Sequence, residues 1–113
     1  MSSPLNIASR DAAAGPVLEI AGPLDYAHAT ALREHVSRCA LDPGQCLTLD
    51  LAGMDFCDST GITALIAARN HALAAGADIA LTAVPPNTLR VLRIVGLDQI
   101  FTIRPGTDVA GPS

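Results

Sequence analysis

Residues 46–84 read as strand, helix, strand, and that order constrains the chain more than any other feature. Cys46 to Leu51 alternates, with Leu47, Leu49 and Leu51 on one face and Cys46, Thr48 and Asp50 on the other, which is the period of a half-buried strand. Thr60 to Ala75 carries Ile62, Leu65, Ile66 and Leu73 on one helical stripe, with Gly76 as a stop. Ile79 to Val84 alternates again. Two strands joined by a helix form a crossover unit, which makes them parallel members of one sheet. The polar cluster Asp58-Ser59-Thr60-Gly61 therefore falls beyond the carboxyl end of a strand and at the amino end of a helix. In open α/β sheets that edge is where ligands and chemistry gather.

The flanking segments extend the same architecture. Leu5 to Ser9 and Val17 to Ala21 alternate on either side of "RDAAAG" and read as a hairpin. Asp25 to about Cys39 carries Leu32, Val36 and Cys39 at helical spacing, with Asp25 placed to cap its start. A third helix, from about Pro86 to Val95, opens after a double proline and closes at Gly96; "QIFTI" then supplies a last strand. The leucine face of the 46–51 strand is the more apolar one, so the helices are expected mainly on that side. The fold class is α/β: a mixed sheet of four to five strands in a single domain, with a core of about residues 5–104 and a patternless tail over 105–113. A chain of 113 residues is about one average domain and holds one core without staples.

Charge and composition exclude several chemistries. Seven arginines and no lysine stand against eleven acids, for a net charge of −4. Without lysine there is no P-loop, no Schiff base and no serine–lysine nucleophile pair. An acidic chain with scattered arginines and three aromatics (Tyr26, Phe56 and Phe101) lacks the basic, stacking-rich stripe that nucleic acid requires. Cys39, Cys46 and Cys57 are odd in number and have no C-x-x-C spacing, so they read as buried small hydrophobes in a reducing compartment, not as a zinc or disulfide set. The first residues lack a basic region followed by an apolar run, and no apolar stretch approaches the ~20 residues that span a bilayer. A cytoplasmic location follows as the expectation.

Asp58-Ser59-Thr60-Gly61 admits a structural and a chemical reading. Structurally, Asp58 or Ser59 caps the helix, Thr60 supports it and Gly61 permits close packing. Chemically, a helix amino end offers unpaired N–H groups and partial positive charge, so a serine there accepts a phosphate that the backbone accommodates. A serine nucleophile would need a base within about 3 Å. His71 lies twelve residues along the same helix, about 18 Å away, and no G-x-S-x-G elbow is present. No histidine pair has the i, i+4 spacing of metal ligands. His28 and His35 lie on another helix and stay open as bases for Ser59, so an enzyme with Ser59 as nucleophile remains an alternative at this point.

Three stretches, in order and at matching spacing, resemble the STAS domain of bacterial anti-sigma factor antagonists: "GPLDYAHATALREHV", "LTLDLAGMDFCDSTGITAL" and "VPPNTLRVLRIVGLDQIFTI". The likeness runs from about Leu5 to Arg104. It implies that Ser59, directly after the motif aspartate, is a phosphoacceptor. It also implies that Asp25, Asp58, Thr60, Gly61 and Ile62 line a partner-docking surface. The implied partners are an anti-sigma factor that is also a serine kinase, bringing ATP and magnesium, and a PP2C-type phosphatase that resets the switch. Unphosphorylated protein would bind the anti-sigma factor and free the sigma factor; phosphorylation would release it, and the chain itself would be substrate and binder, no enzyme, with no cofactor of its own. The alternative role is a non-phosphorylated STAS subunit in a transporter or signalling scaffold. The alanine-rich helix face also allows close packing against a second copy, as in a homodimer. Ile62-Thr63 stands where the family often has leucine and glycine, and the tail after Arg104 is too short and Gly/Pro-rich for the family's further helix.

Overall fold

The computed structural model describes residues 5–104; the expected tail, 105–113, lies outside the described residues. Strands β1 (Asn6–Ala12) and β2 (Gly15–Leu24) form the antiparallel hairpin that the alternation predicts, in register from Asn6 opposite Ala21 to Ala12 opposite Gly15. Both strands run further than expected, because Gly15 turns the chain tightly at φ 142°. A Cβ on Gly15 would sit 2.4 Å from the carbonyl oxygen of Cys46, so only glycine lets β2 start this close to its neighbour.

Helix α1 (Ala29–Ser37) leads to β3 (Cys46–Cys57), α2 (Ser59–Ala74), β4 (Asp78–Thr82), α3 (Pro86–Ile94), a short 3₁₀ turn at Leu97–Gln99 and β5 (Thr102–Arg104). The sheet order is β1-β2-β3-β4-β5, with β2 through β5 mutually parallel and only β1 antiparallel. The expected mixed sheet and the parallel pairing across residues 46–84 are both present. The QIFTI segment divides: its first residue closes the 3₁₀ turn, Phe101 is buried, and pairing begins at Thr102.

β3 continues to Cys57, six residues past its expected end at Leu51. The extension carries no clean alternation because it follows β2 through two register shifts, between Glu19 and Ala21 and between Gly22 and Pro23. Such irregularities re-aim a strand end, and here they set the start of α2.

Leu18, Ile20 and Leu24 of β2, Leu47, Leu49 and Leu51 of β3 and Leu81 of β4 are buried with Leu32 and Val36 of α1 and Leu92 of α3. α2 meets this core through Gly61, Ala64, Leu65, Ala68 and Ala72. Leu73, expected on that stripe, is instead 46% exposed. Small residues let α2 approach the sheet and α1 closely beside the buried Leu65, and Ile62, Ile66 and Leu73 are left partly or largely exposed. The cysteines differ from expectation in burial: all three are free, but half-buried and not buried.

Candidate functional site

Asp58 caps α2. Its backbone is extended, and its carboxylate Oδ1 accepts a hydrogen bond from the Gly61 amide at 2.9 Å, which satisfies one of the donors a helix start leaves unpaired. The second oxygen, Oδ2, accepts from the Tyr26 amide at 3.2 Å. One carboxylate therefore joins two sequence-distant pieces of chain, the β2–α1 loop and the amino end of α2. The Asp58 amide completes the join by donating to the Leu24 carbonyl at 3.4 Å.

Asp25 does not cap α1. The helix begins at Ala29, its N-cap position is His28, and no side chain caps it. Asp25 closes the preceding turn instead: its Oδ1 accepts from the His28 amide at 3.2 Å and lies 2.7 Å from His28 Nδ1, while its carbonyl accepts from the amides of His28 and Ala29. The hydrogen bond from His28 holds the Asp25 carboxyl below its ordinary value, outweighing the opposing effect of burial. The turn gives residues 26–28 their own local frame, and α1 starts three residues later than a cap at Asp25 would place it.

Gly61 is buried, and its missing side chain decides how α2 sits. A Cβ there would lie 2.2 Å from the Leu24 carbonyl oxygen and 2.8 Å from Cys57 Sγ. Thr60 and Ile62 are half-buried, and the Thr63 hydroxyl donates to the Ser59 carbonyl at 3.0 Å. Ser59 itself is exposed in the first turn. Among the described residues no base hydrogen-bonds its hydroxyl, and His28 of the β2–α1 loop has Nδ1 directed at Asp25.

Around this helix start the surface carries aromatic side chains that the sequence reading counted but did not place. Tyr26 is 81% exposed and Phe56 54% exposed. Phe56, Cys57 and Ile62 also border a hollow of about 220 Å³ shared with Pro85, Thr88 and Val91 of the α3 end. The rarity of aromatics in this chain, two of them bracketing the Asp25 and Asp58 motifs, is the signal that could have found them. Burial, and then the charge of Asp58, push the Cys57 thiol up to about 11, so it borders the hollow as an inert, protonated group. Among the described residues no group of three or more His, Cys, Asp or Glu side chains could hold a metal ion, and no helix is long and apolar enough to cross a membrane.

Of the residues singled out in the sequence, Asp25, Asp58, Ser59, Thr60, Gly61 and Ile62 all fall on the β2–α1 loop or the first turn of α2. Asp58 and Gly61 are brought into direct contact, and Asp25 is one residue from the Tyr26 amide that Asp58 holds.

Comparison with known proteins gives consistent matches to this arrangement. The chain is 29% identical over 87 residues to the anti-sigma-F factor antagonist RsfB of Mycobacterium tuberculosis, covering 77% of this chain and 70% of that protein. The crystal structure of an anti-sigma factor antagonist from Mycobacterium paratuberculosis superposes with a TM-score of 0.81 at 25% identity, covering 96% of this chain and 93% of the other. The same fold recurs in the murine solute carrier 26 family member A9 anion transporter, with a TM-score of 0.73 at 20% identity over 88% of this chain and 17% of the transporter. Residues 6–110 match the STAS domain, and the chain belongs to that family.

Proposed function

We propose that this protein is an anti-sigma factor antagonist switched by phosphorylation of Ser59. In its unphosphorylated form it docks on an anti-sigma factor that is also a serine kinase, and the sigma factor is released. The observation that carries the reading is the placement of Ser59. It is exposed in the first turn of a helix whose cap, Asp58, also holds the β2–α1 loop. The names of similar proteins support the antagonist role.

Phosphate on Ser59 adds a charge of about −1.5 to −2 at pH 7 beside the Asp58 carboxylate. The helix start tolerates that charge through its free amides and dipole, so the fold persists while the docking surface turns strongly acidic. Tyr26, Phe56 and Ile62 supply apolar contact to the partner, and Asp25, Thr60 and Gly61 shape the backbone around it. Like-charge repulsion at that surface ejects a partner that presents acidic groups. The kinase brings ATP and magnesium, a PP2C-type phosphatase restores the serine, and the exchange takes place in the cytoplasm. The protein acts as substrate and binder and performs no chemistry itself.

Incubation with ATP, magnesium and the candidate anti-sigma kinase, followed by intact-mass analysis and peptide mapping, is expected to give one phosphate of about 80 Da on Ser59. Ser59→Ala is expected to bind the kinase constitutively and Ser59→Asp weakly; equal affinities would refute the switch. Full function in Ser59→Ala with co-purification of a transport complex would instead favour a non-phosphorylated, fixed-subunit role.

A further inference from the structure

The face of the sheet turned away from α2 holds a hollow that the Ser59 site does not use. Register places Arg10, Val17 and Thr48 side by side across β1, β2 and β3, and Asp50, Thr82 and Arg104 side by side across β3, β4 and β5. These six residues line a depression of about 230 Å³. At its floor the Thr82 side chain is only 3% exposed, and its Oγ1 is buried with no hydrogen-bond partner among the described residues. Buried hydroxyls nearly always have a partner, and an orphaned one costs stability.

The surrounding charges indicate what is missing. Arg10 Nε is engaged by Glu19 Oε2 at 3.2 Å, and Asp50 Oδ1 accepts from the Ala52 amide at 3.0 Å. Among the described residues Arg104 makes no ion pair with a carboxylate. The hollow thus presents a guanidinium with five donors and a hydroxyl with an unused donor, beside the buried, apolar Val17. Its one carboxylate, Asp50, is already engaged through Oδ1 by the Ala52 amide, and among the described residues no acceptor meets Thr82 Oγ1.

We propose that this hollow binds a small oxyanion, a carboxylate or phosphate group on a compact body, with Arg104 and Thr82 Oγ1 donating to its oxygens. The volume lies below the 300–1,000 Å³ of sites for drug-sized ligands, so the ligand is small. Asp50 at the rim opposes a high negative charge and favours a monoanion. The site lies on strands β3, β4 and β5 and is independent of the phosphorylation of Ser59.

The test is a titration of the full chain, followed by amide chemical shifts at constant ionic strength, with acetate and lactate in one arm and inorganic phosphate in the other. Saturable shifts are expected at Thr48, Asp50, Thr82 and Arg104 below roughly 50 mM, a range suited to ligands of a few atoms. The arm that saturates at lower concentration identifies the oxyanion. Thr82→Val and Arg104→Gln are each expected to weaken binding about tenfold, the loss typical of a hydrogen bond to a charged group. Without ligand, Thr82→Val is expected to unfold at the same or a higher temperature than the wild type, because it removes an orphaned hydroxyl and keeps the volume. Linear shifts in both arms, or saturation that neither variant alters, would overturn the proposal. A clearly less stable Thr82→Val would overturn it too, since the hydroxyl would then have a partner within the fold.

Discussion

Replacing Gly61 with alanine sets two effects of opposite sign against each other. In an ordinary helix interior the change stabilises by ~1 kcal/mol, because glycine carries a greater backbone entropy cost. Here the added Cβ would stand 2.2 Å from the Leu24 carbonyl oxygen and 2.8 Å from Cys57 Sγ. The first neighbour is backbone of a central strand and cannot rotate away, so α2 must shift outward. Overpacking of this kind costs ~1–3 kcal/mol and occasionally more, and a main-chain contact this short belongs at the upper end. The net expectation is a loss of about 2 kcal/mol, or roughly 8 °C in Tm for a domain of this size. Urea unfolding of Gly61→Ala measures the loss, and Asn70→Ala, on an exposed position of the same helix, measures the ordinary propensity gain of up to about 0.7 kcal/mol. Gly61→Ala as stable as the wild type or more so would refute the reasoning, because propensity would then have outweighed the close approach.

Asp58→Ala, losing both the Gly61 cap and the Tyr26 bond, is expected to cost about 1.5–2.5 kcal/mol in urea unfolding. Asp58→Asn retains a capping oxygen and is expected to cost about 0.5–1 kcal/mol; equal losses in the two variants would show that the carboxylate does not divide its work. Because the folded state holds Asp25 below its ordinary value of 3.8, its stabilisation is fully present above that pH and is lost as pH falls through the lower folded value. The Asp25 carboxyl carbon, followed by NMR, should titrate below 3.8, and a midpoint at or above it would contradict the His28 contact. Cys57, raised from 9.0 to about 11, is expected to react with a disulfide reagent at pH 8 far more slowly in the native protein than in urea. Its linkage has the opposite direction: stability falls as pH rises from 9 towards 11, since the unfolded chain releases the proton first.

The features visible in the sequence are those set by short-range pattern. Alternation at Leu47, Leu49 and Leu51 and the helix that follows are enough to place β3, α2 and β4 in parallel, and the Asp58 cap is a local preference that no tertiary contact overrides. What escaped is set by contacts between distant segments. β3 runs on to Cys57 because β2 follows it through two register shifts, and an irregular ladder leaves no period to read. Leu73 looks like core by spacing but yields to Ala68 and Ala72, since the depth of α2 is decided by the sheet and α1 beneath it. Asp25 resembles a cap until the turn at residues 26–28 is seen to intervene. The bond from Asp58 to the Tyr26 amide spans 32 residues, and no local pattern announces it.

The structural reading of Asp58-Ser59-Thr60-Gly61 leaves room for the proposed chemical one, because the cap uses atoms other than the Ser59 hydroxyl. Both Asp58 oxygens are occupied by amides, Gly61 is fixed by its approach to Leu24, and Thr63 is tied back to the Ser59 carbonyl. The Ser59 hydroxyl is left exposed, with no side-chain task in holding the helix start. A cap built on Ser59 would have made phosphorylation destructive, since modification would remove the acceptor that the helix needs. With the cap on Asp58, a phosphate on Ser59 would add charge without dismantling α2. The same division makes the two positions experimentally separable: changes at Asp58 should be read in stability, and changes at Ser59 in partner affinity.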